Sequence, residues 1–132
     1  MTLHGQCLCG SIVYEAVHLD GAIEHCHCTT CRKAHASAFA STARVMREHF
    51  RWLRGEPNLT AYQSSPGKRR WFCSACGSHL VAERLGQPHV ILRVATLDDD
   101  PRWTPAMHIW TSHDVPWLDA SDDVPRYAES PS

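Results

Sequence analysis

Hydrophobic and polar residues alternate in short runs along most of the chain, a pattern typical of strands with one buried face. The runs at 80–84 and 89–94 flank the turn residues Gly86 to Pro88 and predict a hairpin. Further extended segments are predicted at residues 3–7, 11–16, 23–27, 37–45, 51–54, 59–63 and 108–110. Helical pieces are predicted only at 32–36 and 46–50. These short elements predict a mainly β fold.

The 132 residues fit one domain, 1–132, which is long enough to bury roughly two thirds of the surface that the unfolded chain exposes. From Ser112 onward proline and aspartate become frequent. We therefore expect 112–132 to form an extended C-terminal tail, held to the surface by Trp117 and Tyr127 and frayed after Glu129.

Charge and hydropathy narrow the possible partners. Thirteen Lys and Arg stand against fourteen Asp and Glu, giving a formal net charge of −1. That balance argues against nucleic-acid binding and against anchoring on an anionic membrane. The chain has no apolar run near the roughly 18 residues of a membrane span, and residues 1–7 do not resemble a signal peptide. We expect a cytoplasmic protein, and its oligomeric state is left open.

Seven cysteines are the main chemical feature of the sequence. In a reducing cytoplasm they are better interpreted as metal ligands than as disulfides. The odd number supports this interpretation, as does the strain of a disulfide across a Cys-x-Cys spacing. The cysteines are Cys7, Cys9, Cys26, Cys28, Cys31, Cys73 and Cys76.

Two cysteine pairs have the features of zinc knuckles. Each is followed directly by a glycine, and such a corner often requires a positive φ there. We expect the two pairs to form one closed structural zinc site that ties the N-terminal strand to the middle of the chain. A redox dithiol at the second pair is the alternative. The residues concerned are Cys7, Cys9 and Gly10 in the first pair and Cys73, Cys76 and Gly77 in the second.

The remaining three cysteines, Cys26, Cys28 and Cys31, lie within six residues and have no fourth cysteine nearby. Three protein ligands and one open position are typical of a catalytic zinc. Two alternatives remain open: a single zinc in the whole chain, or a second structural site closed by a histidine, with candidates His25, His27 and His35.

Three thiolates around Zn²⁺ leave a net charge of −1, so such an ion is a weak Lewis acid that prefers a further soft ligand. The natural substrate is therefore a thiol. A proton donor for the oxygen of an aldehyde adduct could be His27, His35 or His108, although His108 lies between apolar neighbours and is expected in the core. The basic run 68–70 could bind substrate carboxylates, but a solvated strand face is the favoured interpretation.

Five motifs together resemble the glutathione-dependent formaldehyde-activating enzyme (GFA) family, which shares its domain with centromere protein V. They are the segments 6–14, 26–33, 72–78, 97–99 and 108–110, three of which contain the cysteine clusters. The resemblance implies several small coiled antiparallel sheets stapled by a four-cysteine zinc.

The same resemblance implies two zinc ions, one structural on the four paired cysteines and one catalytic on Cys26, Cys28 and Cys31. It also implies a carbon–sulfur lyase that joins or separates glutathione and formaldehyde, with a small thiol and an aldehyde as partners. The alternative class is a non-catalytic binding module with two closed zinc sites. An exchangeable fourth ligand in a cleft would separate the enzyme from the module.

Overall fold

A computed structural model gives the fold, and residues 2–118 and 124–131 are described. Ten strands and one α-helix occur in this part of the chain. Single 3-10 turns lie at 47–49, 56–58, 94–96 and 111–113. The strands are β1 (Leu3–Gln6), β2 (Val13–Ala16), β3 (Ile23–Cys26), β4 (Ala40–Met46), β5 (Phe50–Arg54), β6 (Leu59–Ser65), β7 (Lys68–Cys73), β8 (His79–Arg84), β9 (His89–Arg93) and β10 (Pro105–Ile109), and the helix is α1 (Thr29–His35).

The described strands form two sheets. The smaller has the order β1-β2-β5, and the larger has the order β10-β3-β4-β9-β8-β7-β6. The pairs are antiparallel except for β10 and β3, which run parallel and bring Ile109 beside Cys26. The mainly β class predicted from the sequence is confirmed.

The alternation within β9 shows how the sheets divide the chain between core and groove. Val90 and Leu92 are buried in the core between the two sheets. His89, Ile91 and Arg93 point to the opposite face and line a groove. Because side chains alternate between the faces of a strand, one apolar row seals the core while the other remains free for function.

The smaller sheet closes the other side of the core. Tyr14 is fully buried, stacks on the ring of Phe50 at 5.3 Å and meets Trp52 edge-on. Its hydroxyl lies 2.6 Å from Thr96 Oγ1 and so has a hydrogen-bond partner. The buried phenol therefore packs through its ring without leaving a polar atom unsatisfied.

Most predicted segments coincide with observed strands, and the differences have local causes. The helix begins at Thr29, three residues earlier than expected, because the Cys28 side chain caps it. The strand predicted at 108–110 is Pro105–Ile109, and it ends where Trp110 adopts a φ of 60°. Residues 68–73, which the sequence pattern assigned only as the approach to a cysteine pair, form β7.

The described part of the tail differs from the expectation. It begins with a 3-10 turn at Thr111–His113 instead of extended chain. Trp117 is 71% exposed and Tyr127 is 59% exposed, so the prediction that these two rings hold the tail to the surface is wrong. Residues 119–123 of the predicted tail lie outside the described residues.

Candidate metal centre and adjoining groove

The two cysteine pairs predicted to share one site are brought together. All four sulfur atoms lie within 4.8 Å of one another. The Cys7 and Cys9 sulfurs are 3.6 Å apart, and those of Cys9 and Cys73 are 3.9 Å apart. A tetrahedron with Zn–S bonds of about 2.3 Å has sulfurs about 3.8 Å apart. The donor set and its spacing therefore fit a zinc ion.

The two corners have the conformation that the sequence predicted. Gly10 has φ 78° and Gly77 has φ 81°, both in the left-handed region that glycine adopts without strain. The corners are also joined directly, because the Leu8 amide donates to Ser78 Oγ at 2.9 Å. That hydroxyl lies 3.3 Å from the Cys76 sulfur, and its hydrogen bond is the main factor that lowers the Cys76 pKa, to about 5. The cluster is thus preorganised for thiolate ligands.

The second cluster is built around the start of α1. Cys26 ends β3, Cys28 is the N-terminal cap of the helix, and Cys31 lies in its first turn. The Cys31 amide donates to Cys28 Sγ at 3.3 Å, which fixes the cap. The three sulfurs lie within 4.8 Å of one another, and among the described residues no further histidine, cysteine or carboxylate joins them. This geometry supplies three ligands and an open side.

None of the histidines considered as a fourth ligand reaches this cluster. His27 is buried and turned away: its Nδ1 lies 2.6 Å from Asp114 Oδ1 and its Nε2 lies 2.8 Å from His108 Nδ1. His25 Nδ1 is engaged with Ser41 Oγ at 3.0 Å. The open side of the triplet is therefore not closed by a described histidine.

Two of the three histidines considered as proton donors differ from what the sequence predicted. His108 is exposed, so the expectation that it lies in the core is wrong. Burial, helped by nearby Arg93, lowers the pKa of His35 to about 3. His35 is consequently uncharged at neutral pH and cannot act there as a protonated acid.

Arg70 lies directly against the triplet. Only 2% of it is exposed, and both terminal nitrogens are 3.8 Å from the Cys31 sulfur. It also donates to Thr30 Oγ1 at 3.1 Å and to Ser64 Oγ at 3.0 Å. The interpretation of the run 68–70 as a solvated face is therefore wrong for Arg70, although it holds for the exposed Arg69.

Positive charge favours a thiolate at Cys31. A hydrogen bond from Cys26 is the largest influence on the Cys31 pKa, and the guanidinium groups of Arg93 and Arg70 add to it. Together they lower this pKa to about 4. A thiolate is the form that binds a metal, and Cys31 favours it, whereas the hydrogen bond to Cys31 and burial raise the pKa of Cys26.

The triplet forms part of the wall of a groove of about 860 Å³. The larger sheet contributes its floor, where Arg44 on β4 pairs with Ile91 on β9. The remaining charged groups in the groove are the cations Lys68, Arg84 and Arg93 and the carboxylates Asp20 and Glu24. Trp110 and His113 complete one rim.

Two important residues, Arg70 and Arg93, were not singled out by the sequence as site residues. Both are at most 4% exposed, and Arg93 directly follows the buried Leu92 on β9. A charged residue on a strand otherwise rich in buried side chains is a usable signal, since arginine is seldom fully buried without a partner. Periodicity alone does not reveal which metal cluster it faces.

A third group of possible ligands, His18, Asp20 and His49, lies at the edge of the groove. Hydrogen bonds to Asp20 explain why these three side chains lie together, and no metal is needed. Asp20 accepts from the Met46 amide at 2.7 Å and contacts both imidazoles at 2.8 to 3.0 Å. The carboxylate thereby ties three segments of the chain together.

No helix of the described residues is long and apolar enough to span a membrane.

Two known proteins are similar to this chain. A protein of Schizosaccharomyces pombe named as an uncharacterized lyase is 32% identical over 76 residues, covering 58% of this chain. The chain spans about half the length of that curated relative, 53%. A crystal structure of a Rhodobacter sphaeroides protein is similar with a TM-score of 0.63 and 31% identity, covering 76% of this chain and 99% of the other.

Residues 2–113 match the sequence model of the family described as glutathione-dependent formaldehyde-activating enzyme. The matched region contains both cysteine clusters, the groove and ten strands of the two sheets. This protein belongs to the glutathione-dependent formaldehyde-activating enzyme family.

Proposed function

We propose that this protein is a carbon–sulfur lyase-type enzyme acting on the adduct of a small thiol with an aldehyde, such as S-hydroxymethylglutathione. The observation that carries the proposal is the convergence of three sulfurs in the wall of a groove, with one side left open by the described residues. Family membership supports glutathione and formaldehyde as the substrate classes. A cytoplasmic location belongs to the same proposal, because free thiols persist in that compartment.

Seven cysteines hold two zinc ions in this proposal. Cys7, Cys9, Cys73 and Cys76 form the structural site, and Cys26, Cys28 and Cys31 form the catalytic site. When bound, the second ion supplies a soft Lewis acid with one position for a sulfur of the substrate. Arg70 acts with it by holding Cys31 as a thiolate through contacts of 3.8 Å.

The reaction separates or joins a carbon–sulfur bond. In the lyase direction the adduct hydroxyl loses its proton, the C–S bond breaks with its electron pair kept by sulfur, and a thiolate and formaldehyde leave. His113 lines the groove and provides a group that can accept this proton. The reverse reaction uses the same groups in the opposite order.

The groove also suits the rest of a glutathione-like thiol. Arg44, Lys68 and Arg84 line it and can face the carboxylates of such a molecule. Asp20 is occupied by its hydrogen bonds, which leaves Glu24 to face an ammonium group. Positive groups thus outnumber the negative ones available to the ligand, as a thiol with two carboxylates and one ammonium requires.

Exchange spectroscopy tests the activity. The zinc-loaded protein should accelerate exchange of ¹³C-formaldehyde between its hydrate and the glutathione adduct. Cys26→Ser/Cys28→Ser should remove the acceleration, whereas the exposed Arg69→Met should retain it. Absence of acceleration by the wild-type protein would contradict the lyase proposal.

A second measurement separates the enzyme from a closed zinc module. In cobalt-substituted protein, glutathione should add sulfur-to-metal charge-transfer absorption as a new thiolate binds. A module with two closed sites would give an unchanged spectrum and no exchange, and that pair of results would favour the non-catalytic alternative.

A further inference from the structure

The guanidinium of Arg93 is buried without a partner. Only 4% of the residue is exposed, and Nε, Nη1 and Nη2 have no hydrogen-bond partner among the described residues. Burial lowers the pKa of Arg93 to about 10, so the group keeps its charge at neutral pH. A buried cation with unused donors costs free energy unless another group accepts hydrogen bonds from it.

Arg93 lies beside the cysteine triplet. Arg93 lines the same groove as the cysteine triplet, and its charge acts on the thiols of Cys31, Cys26 and Cys28. Two buried imidazole nitrogens close to it, His35 Nε2 and His79 Nδ1, also have no described partner. Several unsatisfied polar atoms therefore gather next to the sulfurs.

Hydrogen bonds hold the backbone of Arg93 in place. Its backbone carbonyl accepts a hydrogen bond from Thr96 Oγ1 at 2.8 Å, and Tyr14 Oη donates in turn to that hydroxyl at 2.6 Å. The opposite residue on β4 is the buried Thr42. The backbone of Arg93 is thus held in place while its buried side-chain donors have no partner among the described residues, the arrangement expected of a preorganised binding group.

The positive charge beside the triplet exceeds what one thiolate substrate would neutralise. Three thiolates around one divalent ion carry a single net negative charge, and the Arg70, Arg93 and Lys68 side chains next to them are all cationic types. These positive groups exceed that charge. A thiolate substrate compensates part of the excess, and an anionic oxygen compensates the remainder.

We propose that Arg93 forms a subsite beside the cysteine triplet for an anionic oxygen of the substrate, which accepts hydrogen bonds from its unpaired N–H groups while the substrate sulfur faces the three cysteines. This inference rests on the proposed function for the identity of the sulfur ligand only. The oxygen has two possible sources of the same chemistry: the alkoxide of the thiol–aldehyde adduct or a substrate carboxylate.

Binding of formate tests the subsite without thiol or aldehyde. Zinc-loaded wild-type protein should bind ¹³C-formate saturably in an NMR titration. Arg93→Met should weaken this binding at least tenfold, and the exposed Arg69→Met on β7 should stay within about twofold. Because no turnover is involved, failure of the lyase proposal would leave this result intact.

Arg93→Lys guards against a variant that fails to fold, since it keeps the charge but not the guanidinium fork. It should weaken formate binding about fivefold with unchanged zinc content. If wild type does not bind formate saturably, or if a folded Arg93→Met or Arg93→Lys binds it as wild type does, the subsite is refuted. A role in charge balance alone would lower zinc content without a specific loss of formate binding.

Turnover of the adduct separates the two sources of the oxygen. A lower kcat with unchanged KM in Arg93→Lys would assign the subsite to the adduct alkoxide, which carries its charge only during the reaction. A higher KM with unchanged kcat would assign it to a carboxylate present throughout. Either result supports an anionic oxygen at Arg93, whereas unchanged kcat and KM would contradict it.

Discussion

The two cysteine clusters should differ in how much they stabilise the fold, because only one connects distant parts of the chain. Cys9 and Cys73 are separated by 64 positions, whereas Cys26 and Cys31 lie within one strand end and one helical turn. A cross-link over a loop of about 65 residues removes roughly 4 kcal/mol of unfolded-chain entropy, against roughly 2 kcal/mol for a loop of about six.

Matched double variants measure this difference. Cys73→Ser/Cys76→Ser and Cys26→Ser/Cys28→Ser each replace one buried and one half-buried thiol, so the local cost of the substitution is similar. The second variant retains Cys31 and hence the contact with Arg70. With zinc present, we expect the first variant to lose about 4 kcal/mol of unfolding free energy and the second about 2 kcal/mol. At roughly 4 °C per kcal/mol these losses correspond to about 16 °C and about 8 °C in Tm.

Urea unfolding followed by tryptophan fluorescence is a suitable assay, because Trp52 and Trp71 pack against the core. Zinc content should fall by one ion in each variant if each cluster holds one. The reasoning is refuted if Cys26→Ser/Cys28→Ser is as destabilising as Cys73→Ser/Cys76→Ser while both lose the same amount of zinc. Equal losses would mean that the long connection between the N-terminal strand and β7 contributes nothing to stability.

Three further predictions concern the scaffold. Gly55→Ala should destabilise the fold by more than about 3 kcal/mol, because at a φ of 86° the added Cβ would overlap backbone atoms. Gly67→Ala has a φ of 74° but open space around it, so it should cost only about 1 to 2 kcal/mol. Equal melting temperatures of the two variants would contradict this. Burial raises the Asp20 pKa, but its hydrogen bonds lower it by more, so the net pKa is below the usual value. The wild-type protein should therefore be more stable than Asp20→Asn above about pH 4 and lose this advantage in acid below it. Chemical denaturation at a series of pH values checks this. Tyr14→Phe should cost about 1 kcal/mol in urea unfolding, because the Thr96 hydroxyl loses a buried donor, and no change would show that this bond has no net value.

Local sequence patterns predicted the strands and the cysteine corners because both depend on neighbouring residues. The positive φ of Gly10 and Gly77 follows from the requirement of a tight turn after a cysteine pair. The β8–β9 hairpin follows from its turn residues and flanking apolar runs. The convergence of the two cysteine pairs, although distant in sequence, was predictable because a tetrahedral ion requires four ligands and each pair supplies two.

Contacts set by the sheet order were beyond reach of the sequence pattern. Arg70 on β7 meets Cys31 in α1 through the tertiary fold, and no spacing rule relates residues 39 positions apart. His108 illustrates the same limit, because its apolar neighbours predicted burial, yet it lies on the edge strand β10 and is exposed.

The two buried arginines place positive charge beside the three-cysteine cluster. Buried thiolates next to apolar residues would be raised in pKa and would repel a further thiolate. The hydrogen bond from Cys26 is the largest factor that lowers the pKa of Cys31, and the charges of Arg93 and Arg70 lower it further. Burying a guanidinium group costs free energy unless a negative charge is close. The cysteine thiolates and the arginines therefore offset part of each other's desolvation cost. Removing Arg70, which contacts the Cys31 sulfur, should therefore lower zinc affinity, unlike the loss of an exposed cation such as Arg69.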